Sequence, residues 1–180
     1  PMAQVWAWQR DGAGETDYDC VRLQLDETGH VMAPIDGHSV VAPEDQAEWS
    51  LPVVSGIDLG KLKTLAPGRP AGLPKLRAAL GLIGEFRRSP LAGMVDLRVI
   101  DLSQPRILRV TTGDGGQVDL STERLSRQFN RWARIRAHGQ KFGLAIEAVD
   151  LSVTNNVPVR WMLSPSIAED MKRGRKVARK

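Results

Sequence analysis

Apolar and polar positions alternate with period two in several short runs of the chain and recur at helical spacing in two longer ones. Ala3-Gln4-Val5-Trp6-Ala7-Trp8-Gln9 reads as a strand, and the acidic, glycine-containing stretch from Asp11 to Asp19 reads as a loop. Val21 to Leu25 alternates and Gly29 to Ala33 returns after a short turn, so these two runs are expected to pair as a hairpin. Leu51 to Gly56 is a short apolar segment. Gly56 to Gly72, with Pro67, Pro70 and four glycines, reads as a connector. A first helix is expected from Pro74, a first-turn proline, with Leu76, Ala79, Leu80, Ile83 and Phe86 on one face and Ser89-Pro90 as its stop. A second is expected to start at Ser121 or Thr122 as N-cap, with Leu125, Phe129, Trp132 and Ile135 inward and Gly139 as C-terminal cap. Arg124, Arg127, Arg131, Arg134 and Arg136 fall between those positions and read as a solvated face.

The remaining runs are strands: Met94 to Leu102, Ile107 to Val110, Gln117 to Leu120 after the Gly113-Asp114-Gly115-Gly116 turn, Leu144 to Leu151, and Val157 to Leu163. Strands interrupted by two helices predict an α+β fold: a single twisted, mostly antiparallel sheet, two main helices on one face, and an open edge at the last strand. Pro158 falls inside that last run, and proline in a strand is confined largely to edges and bulges. Val157, Val159 and Trp161 share one face of it, with Pro158, Arg160 and Met162 on the other. Periodicity alone leaves Trp161 as either half-buried core or an anchor for a partner.

Composition changes this picture little, and charge changes it in one place. The 180 residues are 42% hydrophobic and 26% charged, an ordinary globular balance that argues against disorder or a coiled coil. The net charge is +4. Residues 1–168 carry equal numbers of acidic and basic side chains, so the whole excess lies in the last twelve residues, among Lys172, Arg173, Arg175, Lys176, Arg179 and Lys180. A domain over 1–164 followed by a basic tail over 165–180 is therefore expected. The tail makes an anionic-surface or nucleic-acid module acting through residues 172–180 the alternative function.

No constellation for catalysis stands out. Cys20 is alone and has no disulfide partner in the chain. Asp26, His30, Asp36 and His38 lack a recognised metal spacing, and no Gly-Lys-Ser/Thr follows the 113–116 glycines as a phosphate loop requires. No enzyme activity, cofactor, metal or small-molecule substrate is expected. Nor is there a signal peptide or a run long enough to span a bilayer, and the chain opens at Pro1 as a piece of a longer protein would.

The C-terminal third carries a resemblance. Ala148-Val149-Asp150-Leu151, the polar turn Ser152 to Asn156, and Val157-Pro158-Val159-Arg160-Trp161 together resemble the closing motif of the FtsQ/DivIB family of bacterial divisome proteins. In that family a Val-Asp-Leu-Arg-aromatic segment, a polar turn and a Val-x-Trp-like end follow one another. Upstream, Pro1-Met2-Ala3, Leu25-Asp26 with Gly29-His30-Val31, Leu51-Pro52 to Gly56, and the glycine hairpin into Val118-Asp119-Leu120 look like the family's other short motifs, in the same order. Ser152 and Val153 depart from the usual Arg-aromatic pair.

The resemblance implies a non-enzymatic scaffold. It implies a β domain in the periplasm or extracytoplasmic space of a single-pass protein of the bacterial inner membrane. Its partners would be FtsB/DivIC-like and FtsL-like divisome proteins, with no nucleic acid, and its role would be to link early and late division proteins in septal cell-wall synthesis. Binding by strand addition at the last strand would place the contacts at Val153, Asn155, Val157, Val159 and Trp161.

Overall fold

The computed structural model describes residues 2–10, 18–32, 51–62 and 66–164. Its elements are β1 (Ala3–Arg10), β2 (Tyr18–Leu25), β3 (Val53–Asp58), α1 (Pro74–Arg87), β4 (Leu97–Asp101), β5 (Ile107–Thr112), β6 (Gln117–Ser121), α2 (Leu125–Gln140), β7 (Leu144–Asp150) and β8 (Val159–Leu163). The strands form one eight-stranded sheet in the order β2-β1-β3-β4-β5-β6-β7-β8. Four of its seven pairings are antiparallel. The pairings β1–β3, β3–β4 and β6–β7 are parallel, so the sheet is mixed.

Strand alternation builds the core directly. Leu23, Val5, Val54, Ile100, Val110, Val118, Val149 and Val159 stand opposite one another across all eight strands, a continuous apolar row on one face. Helix α1 buries Leu76, Ala79, Leu80, Leu82, Ile83 and Phe86 in the same cluster. Helix α2 adds Phe129 and Trp132. The helices meet through Phe86, whose ring lies edge-on to Phe129 at 5.7 Å and tilted to Trp132 at 6.1 Å. Among the described side chains, the opposite face of the sheet is half-exposed and mostly polar, with Val53, Val99 and Ile107 among its apolar residues. There Arg109 donates two hydrogen bonds to the Asp119 carboxylate, at 2.8 and 3.0 Å.

Three local expectations are corrected. The main partner of β2 is β1, in a register running from Ala3–Leu25 to Arg10–Tyr18; the expected hairpin reduces to a turn with one bridge, Leu25 to Val31. Asp26 holds that turn, its Oδ1 accepting from the backbone N–H groups of Thr28 and His30, each at 2.9 Å. Gly56 belongs to β3 and not to a connector. It lies in the stretch where the β1–β3 register shifts, with φ +74°, and a Cβ there would stand 2.6 Å from the Ser103 nitrogen.

Helix α2 starts later than expected. Ser121 completes β6, and Arg124 adopts the left-handed conformation at φ 53°. No side chain caps its N-terminus; instead, buried Gln128 ties the preceding segment to the helix, accepting from Ser121 N at 3.0 Å and donating to Ser121 Oγ at 2.9 Å and to the Glu123 carbonyl at 2.6 Å.

Candidate functional site

β8 is the last strand of the sheet, and no described strand lies beyond it. Its backbone polarity follows from two hydrogen bonds that flank it. The Pro158 carbonyl accepts from Asp150 N at 3.2 Å, and Ser164 N donates to the Gly143 carbonyl at 3.0 Å, so positions 158 and 164 both face β7. Antiparallel pairing alternates direction at each residue. Arg160 and Met162 therefore also face β7, while the N–H and C=O groups of Val159, Trp161 and Leu163 point away from the sheet. Each of these three offers one donor and one acceptor.

This geometry corrects the role expected of Pro158. It precedes β8, and its missing N–H lies on the β7 side. It ends the β7–β8 ladder and leaves the outer edge unblunted. Arg160 is the exposed charge on the strand, 3.8 Å from Glu147 on the polar face.

Of the residues singled out by sequence, Val157, Val159 and Trp161 are half-buried and packed against the core cluster. The Trp161 indole covers Gly139. A Cβ built there would stand 2.9 Å from Trp161 Cη2, closer still to Cζ3, and 3.1 Å from the Leu144 carbonyl. Gly139 is thus a residue of the last helical turn that lets the edge strand's tryptophan approach α2, and not the expected cap. Val153 and Asn155 lie away from these three, in the turn before β8, with Asn155 exposed and Val153 half-buried.

That turn is held by residues whose role periodicity did not reveal. Arg131 reaches from α2 and donates to the Val153 carbonyl at 2.8 Å and the Thr154 carbonyl at 3.0 Å, so it is a clamp and not part of a solvated face. Asp150 Oδ1 accepts from Ser152 N at 2.9 Å and from Ser152 Oγ at 2.5 Å. Beside the turn lies a depression of about 580 Å³ bordered by Arg106, Arg124, Arg127, Arg131 and Glu123. Four arginines against one carboxylate make this shoulder electropositive.

Among the described residues no cluster of three or more His, Cys, Asp or Glu side chains is placed to hold a metal ion. Asp36 and His38 lie outside the described residues. Asp26 and His30 are committed to their turn, where the His30 backbone N–H and then the Thr28 hydroxyl hold the Asp26 carboxyl below its ordinary range. No helix among the described residues is long and apolar enough to cross a membrane.

Residues 18–152 match the family model described as "Cell division protein FtsQ/DivIB, C-terminal". No curated protein matches the chain. The family match ends at Ser152, the first residue of the turn that leads into β8.

Proposed function

Since the chain belongs to the FtsQ/DivIB family of cell-division proteins, we propose that it is a non-catalytic divisome scaffold that binds a partner strand along β8. The observation that carries this reading is the run of outward N–H and C=O groups at Val159, Trp161 and Leu163 on an edge that no described strand covers. An extended segment laid on that edge gains backbone hydrogen bonds worth about 1 kcal/mol each. Side chains at alternate positions then select the partner.

The partners are FtsB/DivIC-like and FtsL-like proteins, and the domain works outside the cytoplasm as part of a membrane-anchored protein. Val153, Asn155, Val157, Val159 and Trp161 form the contact region in two parts. Val153 and Asn155 meet the partner from the turn. Val157, Val159 and Trp161 fix the shape of the strand from within, since they pack against the core. The arginine-bordered shoulder favours a partner segment with acidic residues next to its strand.

The test is co-purification with the FtsB/DivIC-like partner by wild type and by Val159→Pro. The substitution removes one outward donor and leaves the β7-facing groups in place. A fall in affinity of about fivefold or more is expected in a variant that stays folded, at a somewhat lower melting temperature because Val159 packs against the core. Undiminished capture by the folded variant contradicts the reading. The alternative, an anionic-surface or nucleic-acid module acting through 172–180, is favoured if the chain binds an anionic surface or nucleic acid with steep salt dependence and a charge-neutralised tail loses that binding.

A further inference from the structure

The depression of about 580 Å³ beside the 152–156 turn gathers charges that the fold leaves uncompensated. Arg106 enters its wall from the β4–β5 connection; Arg124, Arg127 and Arg131 enter from the amino-terminal half of α2 and the residue before it. The guanidiniums of Arg106, Arg124 and Arg127 have no hydrogen-bond or ion-pair partner among the described residues. Arg131 spends Nη1 and Nη2 on the turn carbonyls and keeps its charge. Glu123 is the one acid in the wall. Asp150 approaches through its bond from the lining residue Ser152, and counting both acids still leaves an excess of two positive charges. Glu85, which accepts from Ser126 near the start of α2, is paired with Arg88.

The backbone points the same way. Arg124 holds φ 53°, a left-handed conformation that disfavours a long side chain. Glycine would relieve that strain; the arginine instead sets a cation in the wall of the depression. Helix α2 also begins here with no side-chain cap, so the positive end of its dipole lies at the same wall.

We infer that this depression binds a diphosphate group. Guanidiniums that enter from two elements call for a ligand whose anionic oxygens point in several directions. A carboxylate presents two oxygens in one plane, which a single guanidinium satisfies. A diphosphate presents tetrahedral oxygens on two centres and carries enough charge to offset the excess. The volume falls within the usual range of ligand sites, about 300–1,000 Å³. The group can sit on a soluble ester or on a lipid headgroup, and the arginines meet the same chemistry in both. The site goes beyond strand pairing, because it uses side chains ahead of the turn while pairing uses the outward backbone of β8. A bound diphosphate would compete with the acidic part of a partner segment for this shoulder.

The test is calorimetric titration of the full chain without any partner, so its failure is separate from a failure of strand pairing. Inorganic pyrophosphate is expected to bind about tenfold more tightly than inorganic phosphate or a glutamate tripeptide, and less tightly as salt is added. Arg124→Gln and Arg127→Gln should each weaken pyrophosphate binding about fivefold. Arg134→Gln, exposed on the same helix but outside the wall, should leave it unchanged. Arg124→Gly should weaken it as much without lowering the melting temperature, because glycine accepts the left-handed backbone. Phosphatidylcholine vesicles carrying a prenyl diphosphate separate the sources. Tighter binding to them than to soluble pyrophosphate assigns the group to a lipid, equal or weaker binding assigns it to a soluble ester, and both support the site. Absence of pyrophosphate binding overturns the inference. So does binding that Arg124→Gln and Arg127→Gln leave unchanged, or equal affinity for the glutamate tripeptide.

Discussion

Gly139→Ala offers a test whose sign reverses. Alanine in place of glycine inside a helix ordinarily gains about 1 kcal/mol from backbone propensity. Here the new methyl would meet the Trp161 ring, 2.9 Å from Cη2 and closer to Cζ3. Pushing a half-buried indole and its edge strand aside costs about 1–3 kcal/mol. The net expectation is a loss of up to about 2 kcal/mol. Trp161→Ala by itself should cost about 2 kcal/mol, below the full-burial range because the ring is only half-buried. Adding Gly139→Ala to Trp161→Ala should then be close to neutral. The remaining neighbour is the Leu144 carbonyl at 3.1 Å, which can give by a few tenths of an ångström. Urea denaturation of the four proteins, followed by far-UV circular dichroism, measures the cycle as a coupling of up to about 2 kcal/mol. Stabilisation by Gly139→Ala in the wild-type background would refute the contact, as would an equal penalty in both backgrounds.

Arg131→Ala removes both bonds to the 153–154 carbonyls and should cost about 1–2 kcal/mol, with faster amide exchange in residues 152–156. Unchanged exchange there would rule out the clamp. Gln128→Ala removes the buried bonds that tie the β6–α2 junction to the helix and should cost about 1–3 kcal/mol in the same denaturation assay, whereas Asn130→Ala on the exposed face should cost little. The Asp26 carboxyl titrates lower in the folded turn than when unfolded. Its contribution is therefore complete above the ordinary value of 3.8 and fades as pH falls through the depressed one. Monitored at the His30 amide by NMR, its midpoint should lie below 3.8; a midpoint at or above that value contradicts the hydrogen bonding described.

Both helices, most strand positions and the α+β class were legible because burial imposes periodicity, and periodicity survives in one sequence. The row from Leu23 to Val159 is such a trace. What sequence did not show depends on distant partners. No local pattern states that β1 lies beside β3, or that β2 pairs back on β1 in preference to the 29–33 run. The start of α2 was misplaced because Ser121 and Thr122 look like caps, while no side chain caps this helix and Gln128 binds back to Ser121 and Glu123 ahead of it. Gly139 looked like a terminus because a glycine required by a neighbouring ring and one required by a turn read alike. Arg131 fell in a run of arginines, and only the fold separates the one that holds a turn. At the candidate site the open edge was foreseen. The direction of the missing Pro158 donor was not, while the half-burial of Trp161 was one of the two readings its spacing allowed.

The central claim is that Val159, Trp161 and Leu163 present a free backbone edge to a partner strand. Amide hydrogen exchange along β8, read by NMR for the free domain and for its complex with the FtsB/DivIC-like partner, measures it residue by residue. In the free domain the amides of Arg160, Met162 and Ser164 should be protected, and those of Val159, Trp161 and Leu163 should exchange quickly. On binding, the odd-numbered three should slow by about tenfold or more. An edge with no odd–even alternation in the free domain, or a complex that leaves those three amides fast, would contradict it.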